Sequence, residues 1–478
     1  MNNNSLSKWE KPILLIYISL YLIISISMVL KQPLGNPPDE TNRYRIPLYI
    51  YEHHALPNGY DEEIRIPGYG FSYGFQPILP YMMQGGAMIV ASVFTNSSTA
   101  LVYVARFVNC FLGLLMAVFV WKLSKKWFKN ATARYLFSFL VMFLPQSIFL
   151  HTYVNTESCA MLSSAMILYG ITCCLEDDFS YKSSVLLSAG VILCALSYYN
   201  AYGYILGAMI LFVAWAFRGS RKNNVSFDKA GFLKKGGFIC LLVLLGIAWW
   251  FIRSAIIYDG DFLGLKARAL CGEMYEDRAL LSLLVPAFKE QGLSVFDMLF
   301  NSDFFIVTIT SFICAFGPMT VITSIWVYRF FKAVFFGGIL LFAFMPAKVV
   351  KAYYEGYTID RRPVISLFYR LNLIMCAAIP VILSITYSYK TDYQPQGRYI
   401  MPALIPLCYF TVAGIKKGVA LLTLLLSKAF KKEDDTVFCN RLVTIICSVL
   451  TVGIAVCLII SIYVYAFPQW ETFEDLLF

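Results

Sequence analysis

The fold turns on residues 12–45, PILLIYISLYLIISISMVLKQPLGNPPDETNRYR. An apolar run from Pro12 to Leu30 is followed closely by NPPDETNRYR (36–45), with two prolines, two adjacent carboxylates (Asp39, Glu40) and two arginines (Arg43, Arg45). About twenty apolar residues in a helix span the roughly 30 Å hydrocarbon core of a bilayer. No small-residue cleavage site follows, so the run reads as a retained transmembrane helix rather than a signal peptide. The polar stretch behind it therefore lies at a membrane surface, and its meaning depends on which surface that is.

The rest of the chain supports a lipid solvent. It is 59% hydrophobic and 14% charged, where a soluble domain carries about a quarter charged residues, and its mean hydropathy is +0.65. Apolar runs near 12–31, 97–121, 135–150, 158–175, 184–199, 201–217, 236–257, 319–347, 371–389, 400–415 and 441–467 predict an all-α polytopic membrane protein with about 11 transmembrane helices. Residues 78–95 and 304–347 leave room for further crossings, to 13.

The net charge of +10 is gathered in four connections. These hold Lys122, Lys125, Lys126, Lys129 and Arg134; Arg218, Arg221, Lys222, Lys229, Lys234 and Lys235; Lys348, Lys351, Arg361, Arg362 and Arg370; and Lys416, Lys417, Lys428, Lys431 and Lys432. Eleven crossings place all four on one side, which the positive-inside rule makes cytoplasmic. The N-terminus is then cytoplasmic and the C-terminus outside. Two long outer loops follow, 32–96 and 258–318, and helices within 78–95 and 294–317 lie in the outer interface. Arg329 and Lys332 fall inside the eighth span, where a cavity lining would accommodate them. No repeat divides residues 1–478, which read as a single membrane domain.

Several functions are disfavoured. The basic charge has no nucleic-acid motif behind it, and no phosphate-binding glycine loop argues for a nucleotide. Most of the 13 cysteines lie in or beside apolar runs and none forms a CxxC pair, so neither a disulfide scaffold nor a zinc site is expected.

The chemistry gathers in the outer segments. Asp39 and Glu40 suit a general base or a divalent-metal ligand, or they simply start an interfacial helix with acids in its first turn. Glu157 follows in HTYVNTES (151–158), where His151, Asn155 and Glu157 together orient an acceptor or a metal, or else cap the next helix. Arg398, in YQPQGRYI, and Arg253, after a Trp pair, suit a lipid-linked phosphate, or pair with Asp392 or Asp259. Arg106 is a weaker candidate of the same kind. His53 and His54 fit no metal spacing, and the aromatic residues of RIPGYGFSYGF (65–75) suit stacking on a sugar.

Taken together, the Asp-Glu pair after helix one, QPILPY (76–81), ARFVN (105–109), VNTES (154–158) and QGRY (396–399) resemble the GT-C superfamily of integral membrane glycosyltransferases. The nearest likeness is to a largely uncharacterised bacterial branch with PPDE and QGRY motifs. The resemblance implies transfer of a sugar from a polyprenyl-phosphate-sugar to a cell-envelope glycan or lipid on the outer face of the plasma membrane. It implies catalytic roles for Asp39, with Glu40 beside it, and for Glu157, and places Arg398 on the donor phosphate with Gln396 beside it. Arg253 joins that group by position. Arg43, Asn155 and His151 would face the acceptor. No tightly bound cofactor is expected. That branch carries His where this chain has Arg43, and more often Asp where it has Glu157, so a divalent metal (Mg2+ or Mn2+) at Asp39 and Glu157 stays open. The rival readings are a flippase for lipid-linked glycans and a non-catalytic assembly scaffold.

Overall fold

A computed structural model describes residues 9–217, 229–281, 286–345, 363–429, 436–473 and 475–477. Of the basic residues used above, Arg218, Arg221, Lys222, Lys348, Lys351, Arg361, Arg362, Lys431 and Lys432 lie outside the described residues. The helices are α1 (Glu10–Lys31), α2 (Glu40–His53), α3 (Leu79–Ala91), α4 (Ser98–Trp127), α5 (Ala131–Met142), α6 (Pro145–Leu150), α7 (Glu157–Glu176), α8 (Tyr181–Ala195) and α9 (Gly203–Ala216). They continue with α10 (Lys229–Ile257), α11 (Leu265–Tyr275), α12 (Val295–Phe300), α13 (Phe304–Ile313), α14 (Ile325–Phe344), α15 (Pro363–Lys390), α16 (Leu404–Ala429) and α17 (Thr436–Ile459). The described residues contain no strand. This is the expected all-α polytopic membrane fold.

Among the described residues, nine helical segments are long and apolar enough to cross a membrane. They occupy nine of the eleven expected spans, and the shorter apolar helices α5 and α8 occupy the other two. The expected single span at 135–150 is broken into α5 and α6. Pro145 lacks an N–H and disfavours helical backbone at the residue before it, so the chain turns at Phe143 and Leu144 and restarts with Pro at the first helical position.

Burial sorts the helices. In its most apolar window α7 is 83% buried, whereas α10 is 11% buried, so α7 is the axis of the bundle and α10 a peripheral, lipid-facing helix. Because lipid is as apolar as leucine, polar groups that meet between helices matter more for specificity than apolar area. Tyr17 and Tyr21 on α1 donate across to the Ala117 and Cys110 carbonyls of α4 at 3.3 and 2.9 Å. Trp127 of α4 donates to the Tyr369 hydroxyl of α15 at 3.0 Å, which in turn bonds Thr172 of α7.

Ion pairs fix which ends lie together. Lys125 pairs with Glu10 and Lys126 with Glu176, bringing the start of α1 and the ends of α4 and α7 to one end of the bundle. The end of α1 and the start of α7 are consequently at the other end, which gathers Asp39 and Glu157. Lys416 and Lys417 are not in a loop as expected. They lie within α16, which runs on for 26 residues, and both are buried. Lys417 donates to the Phe342 carbonyl at 3.0 Å.

At 13 residues, or about 20 Å, α3 is too short to cross alone. Neither Arg329 nor Lys332, the latter half-buried, borders the two cavities described among these residues. Arg329 is exposed with its guanidinium over the Trp326 ring at 4.9 Å.

Candidate active site

The adjacent carboxylates of PPDE part company because of the backbone at Asp39. That residue adopts left-handed φ 60°, ψ 8° immediately before α2, a conformation that costs a non-glycine residue about 1–3 kcal/mol and that Asp tolerates better than most. Prolines 37 and 38 restrict the approach, and the Asp39 carbonyl accepts from Arg43 N at 2.9 Å to start the helix.

Glu40 turns into the protein. It is fully buried and accepts from Arg106 Nε and Nη2 at 2.9 and 2.5 Å, from Gly35 N at 3.0 Å and from Val154 N at 3.0 Å. Arg106 spends its remaining donors on the carbonyls of Val29, Gln32 and Pro33, at and just beyond the end of α1 where helical partners run out. This cluster ties α1, α2, α4 and the 151–156 turn together, and it does not border the cavity described below.

Asp39 turns the other way. Its Oδ2 accepts from Arg398 Nη2 at 2.6 Å and lies 4.0 Å from Arg43 Nη2. Arg43 makes a two-pronged pair with Glu157, Nη1 to Oε2 at 2.5 Å and Nη2 to Oε1 at 2.9 Å. Four charges thus alternate in sign: Glu157, Arg43, Asp39, Arg398. Burial would raise the Asp39 carboxyl, but Arg398 and Arg43 outweigh it and hold the group below its ordinary value. Arg43, in the first turn of α2, is held protonated because Glu157 outweighs the cost of burial.

Arg398 is positioned by its own motif. Gly397 packs so closely on α13 that a Cβ there would lie 2.0 Å from Phe312 N, and Gly397 N donates to Ser311 Oγ at 2.8 Å. Arg398 then donates to Gln396 Oε1 at 2.6 Å, the Pro38 carbonyl at 3.2 Å and the Tyr399 hydroxyl at 3.1 Å. Tyr399 donates to Gln394, which donates to Asp392.

Asp39, a third exposed, opens onto a cavity of about 850 Å3 bordered also by Arg43, Tyr73, Arg268, Tyr387, Asp392 and Tyr399. Its walls come from both long loops, which brace each other. Arg65 stacks on Tyr275 at 3.9 Å, Arg268 on Phe71 at 4.1 Å, and Asp277 N donates to Gly68 O at 2.9 Å. Gly264 starts α11 at φ 69°, where a Cβ would meet the Phe75 carbonyl at 2.4 Å. That close approach is what brings Arg268 to the cavity.

The remaining expected site residues are elsewhere. Glu157 is buried behind Arg43. Asn155 accepts from Ser158 N at 2.9 Å and donates to the Leu150 and Tyr153 carbonyls, so it shapes the start of α7. His151 is buried against Ser158 Oγ at 2.6 Å, and burial pushes its imidazole down to about 3. Arg253 donates to the Pro57 carbonyl at 2.8 Å. Only its Nη2 is used on the first loop, since its buried Nη1 has no partner in the protein; Gln396 is held by Arg398, and neither Arg253 nor Gln396 borders the cavity. His53 pairs with Glu63 at 2.8 Å on the surface.

A divalent ion bridging Asp39 and Glu157 does not fit this arrangement. Both Glu157 oxygens already hold Arg43, and Asp39 Oδ2 faces two guanidinium groups. The expected metal pair is separated by a cation that belongs to the chain.

Sequence reasoning missed Arg268. It lies in no motif, and only the docking of α11 on the first loop shows that it faces Asp39's cavity. No ion pair to it occurs among the described residues.

Comparison with known proteins adds a family and a fold. Residues 22–407 match the profile described as predicted membrane protein (DUF2142). A search of curated proteins found no match. The structure is similar to the archaeal oligosaccharyltransferase AglB from Archaeoglobus fulgidus, described in complex with an inhibitory peptide and a dolichol-phosphate: TM-score 0.50, 15% identity, 96% of this chain and 56% of that one. A second structure of the Archaeoglobus fulgidus oligosaccharyltransferase, described with Zn and sulfate, gives TM-score 0.50 and 16% identity over 95% of this chain and 53% of that one. ArnT from Cupriavidus metallidurans bound to undecaprenyl phosphate gives TM-score 0.49 and 14% identity over 96% of this chain and 75% of that one. The chain spans about half the length of the oligosaccharyltransferases it matches. At these identities the likeness concerns the fold, which is GT-C-like as expected.

Proposed function

We propose, from the premise that this chain belongs to the DUF2142 family of predicted membrane proteins, that it transfers a sugar from a polyprenyl-phosphate carrier to a cell-envelope glycan or lipid at the outer membrane surface. The observation that carries this reading is the cavity. It faces an ionised carboxylate, Asp39, and an arginine, Arg268, without an ion-pair partner among the described residues. The dolichol-phosphate described for AglB supports a lipid phosphate as the group Arg268 meets.

Asp39 accepts a hydrogen bond from the acceptor hydroxyl and orients its lone pair at the anomeric carbon. As the new C–O bond forms, the bond from that carbon to the phosphate oxygen breaks, and the hydroxyl proton passes to Asp39 and on to solvent. The departing polyprenyl phosphate carries the bonding electrons, and Arg268 balances its charge. Held at low pKa, Asp39 is a weak base in the ground state, so its main work is orientation and late proton acceptance. Arg398 and Gln396 act through Asp39 rather than on the donor, and Glu40 and Arg253 support the loops.

The test is consumption of polyprenyl-phosphate sugars from membrane lipid extracts by the purified full-length chain. Wild type discharges the lipid, and Arg268→Ala needs more donor to do so. No discharge by folded wild type with any extract would reject the reading in favour of a scaffold. The flippase alternative rests on Arg329 and Lys332, of which Arg329 is exposed and Lys332 half-buried.

A further inference from the structure

We propose that Arg43 is a built-in substitute for a divalent cation: its guanidinium is the fixed positive charge between Asp39 and Glu157, and the site works without a metal. The occupancy claim stands on geometry, and only the use made of the charge rests on the transfer reading above.

Two acids directed at one point, one at the cavity wall and one buried behind it, ordinarily call for a cation between them. Here that cation is covalently part of α2, four residues after Asp39. It fills both oxygens of Glu157 and reaches Asp39 with the same Nη2 atom, at 2.9 and 4.0 Å. The side chains of Arg43 and Glu157 are 5% and 1% exposed, and the Tyr73 ring packs against the guanidinium at 5.1 Å.

Charge balance within the buried group points the same way. Its two carboxylates and two guanidinium groups cancel, so a divalent ion there would have to displace Arg43 from Glu157; the cavity's other acids, Asp392, Glu273, Glu276 and Glu290, are not part of that group. Removing Arg43 to admit a metal would in turn strand Glu157.

A built-in charge differs from a metal in what it does. It cannot exchange, needs no ligand deprotonation, and cannot lower the pKa of a bound water as a metal does. Arg43 lines the cavity and its buried Nε has no partner in the protein. The group therefore orients Asp39, while activation of water is not available to it.

The experiment uses full-length protein in detergent, stripped with EDTA, and Mn2+ as the probe. Bound Mn2+ is counted by electron paramagnetic resonance for wild type and Asp39→Asn, which cancels any adventitious ion at the surface Glu52, His53 and Glu63 group. Equal Mn2+ on both supports the proposal; one additional Mn2+ on wild type overturns it. This readout needs no sugar transfer, so it is decided even if the transfer reading fails.

Where discharge is seen, wild type keeps it in EDTA to within about twofold. A drop of tenfold or more restored by Mn2+, Mg2+ or Zn2+ would overturn the proposal. The double variant Arg43→Gln/Glu157→Gln removes both charges together and so leaves no buried ion unpaired. It is expected to fold and to move the acid limb of the discharge profile to higher pH, and an unmoved limb would argue against a charge role for Arg43.

Discussion

Asp39 and Glu40 are neighbours in sequence, both acids, both paired with arginine, and the molecule uses them for opposite purposes. Glu40 is sealed with Arg106 among four protein donors and joins three helices and a turn. Asp39 is held between Arg398 and Arg43 with a third of its side chain open to a cavity. The difference arises in a single left-handed residue: the turn of backbone at Asp39 sends one carboxylate inward and the other toward solvent-accessible space. Pairing alone says little about function. What distinguishes a site from a strut is whether any face of the pair is left for a substrate.

The contrast breaks most sharply at Glu40. Glu40→Ala strands a buried guanidinium, and loss of one partner from such a pair costs about 3–5 kcal/mol. We expect a clear fall in thermal midpoint and folded yield. Glu40→Met/Arg106→Met, which removes both charges, should recover much of that loss, and a double variant as unstable as the single would show that shape rather than charge is what Glu40 supplies.

Arg268 tests the open side. Arg268→Ala is expected to weaken donor binding by about 1.5–3 kcal/mol, the range for hydrogen bonds to charged groups, seen as roughly a tenfold to hundredfold rise in donor KM with folding unaffected. Arg253→Ala, whose arginine holds a loop carbonyl and does not border the cavity, should leave donor KM near wild type.

The smallest effect is in pH. Since the Asp39 pKa is lowered in the folded protein, its ion pairs stabilise above the ordinary carboxylate range, and that contribution is lost as pH falls through the lowered value. Discharge should therefore be flat across neutral pH and fall only in acid. Arg398→Gln removes the larger charge acting on Asp39 and should move the acid limb upward by about one pH unit; an unmoved limb would mean that Asp39 titration does not govern the rate.

Much of this was legible in the sequence. Hydropathy and run length were enough for the polytopic fold, because a span is a local property. Pro145 shows the limit, since the apolar run passes through it while the helix does not. The motifs named Asp39, Arg43, Glu157 and Arg398 in three separate roles, together with Glu40, Arg253, Gln396, Asn155 and His151; the structure sets those four side by side and puts Glu40, Arg253, Asn155 and His151 elsewhere. Which acid meets which arginine was not legible, because Glu157 is 114 residues from Arg43 and Arg398 is 359 from Asp39, and spacing along the chain carries no information across such distances. Arg268 left no trace at all, since its importance comes from how α11 docks rather than from its neighbours in sequence.

The most direct measurement is discharge of a polyprenyl-phosphate sugar per folded molecule, compared for wild type, Asp39→Asn and Glu40→Gln in the same detergent. The account predicts that Asp39→Asn folds normally and loses about 10²–10⁴-fold in rate, while Glu40→Gln is less stable but turns over near wild type for the fraction that folds. Equal activity in wild type and Asp39→Asn, or an equal loss per folded molecule in both variants, would contradict the division of labour between these two neighbouring carboxylates.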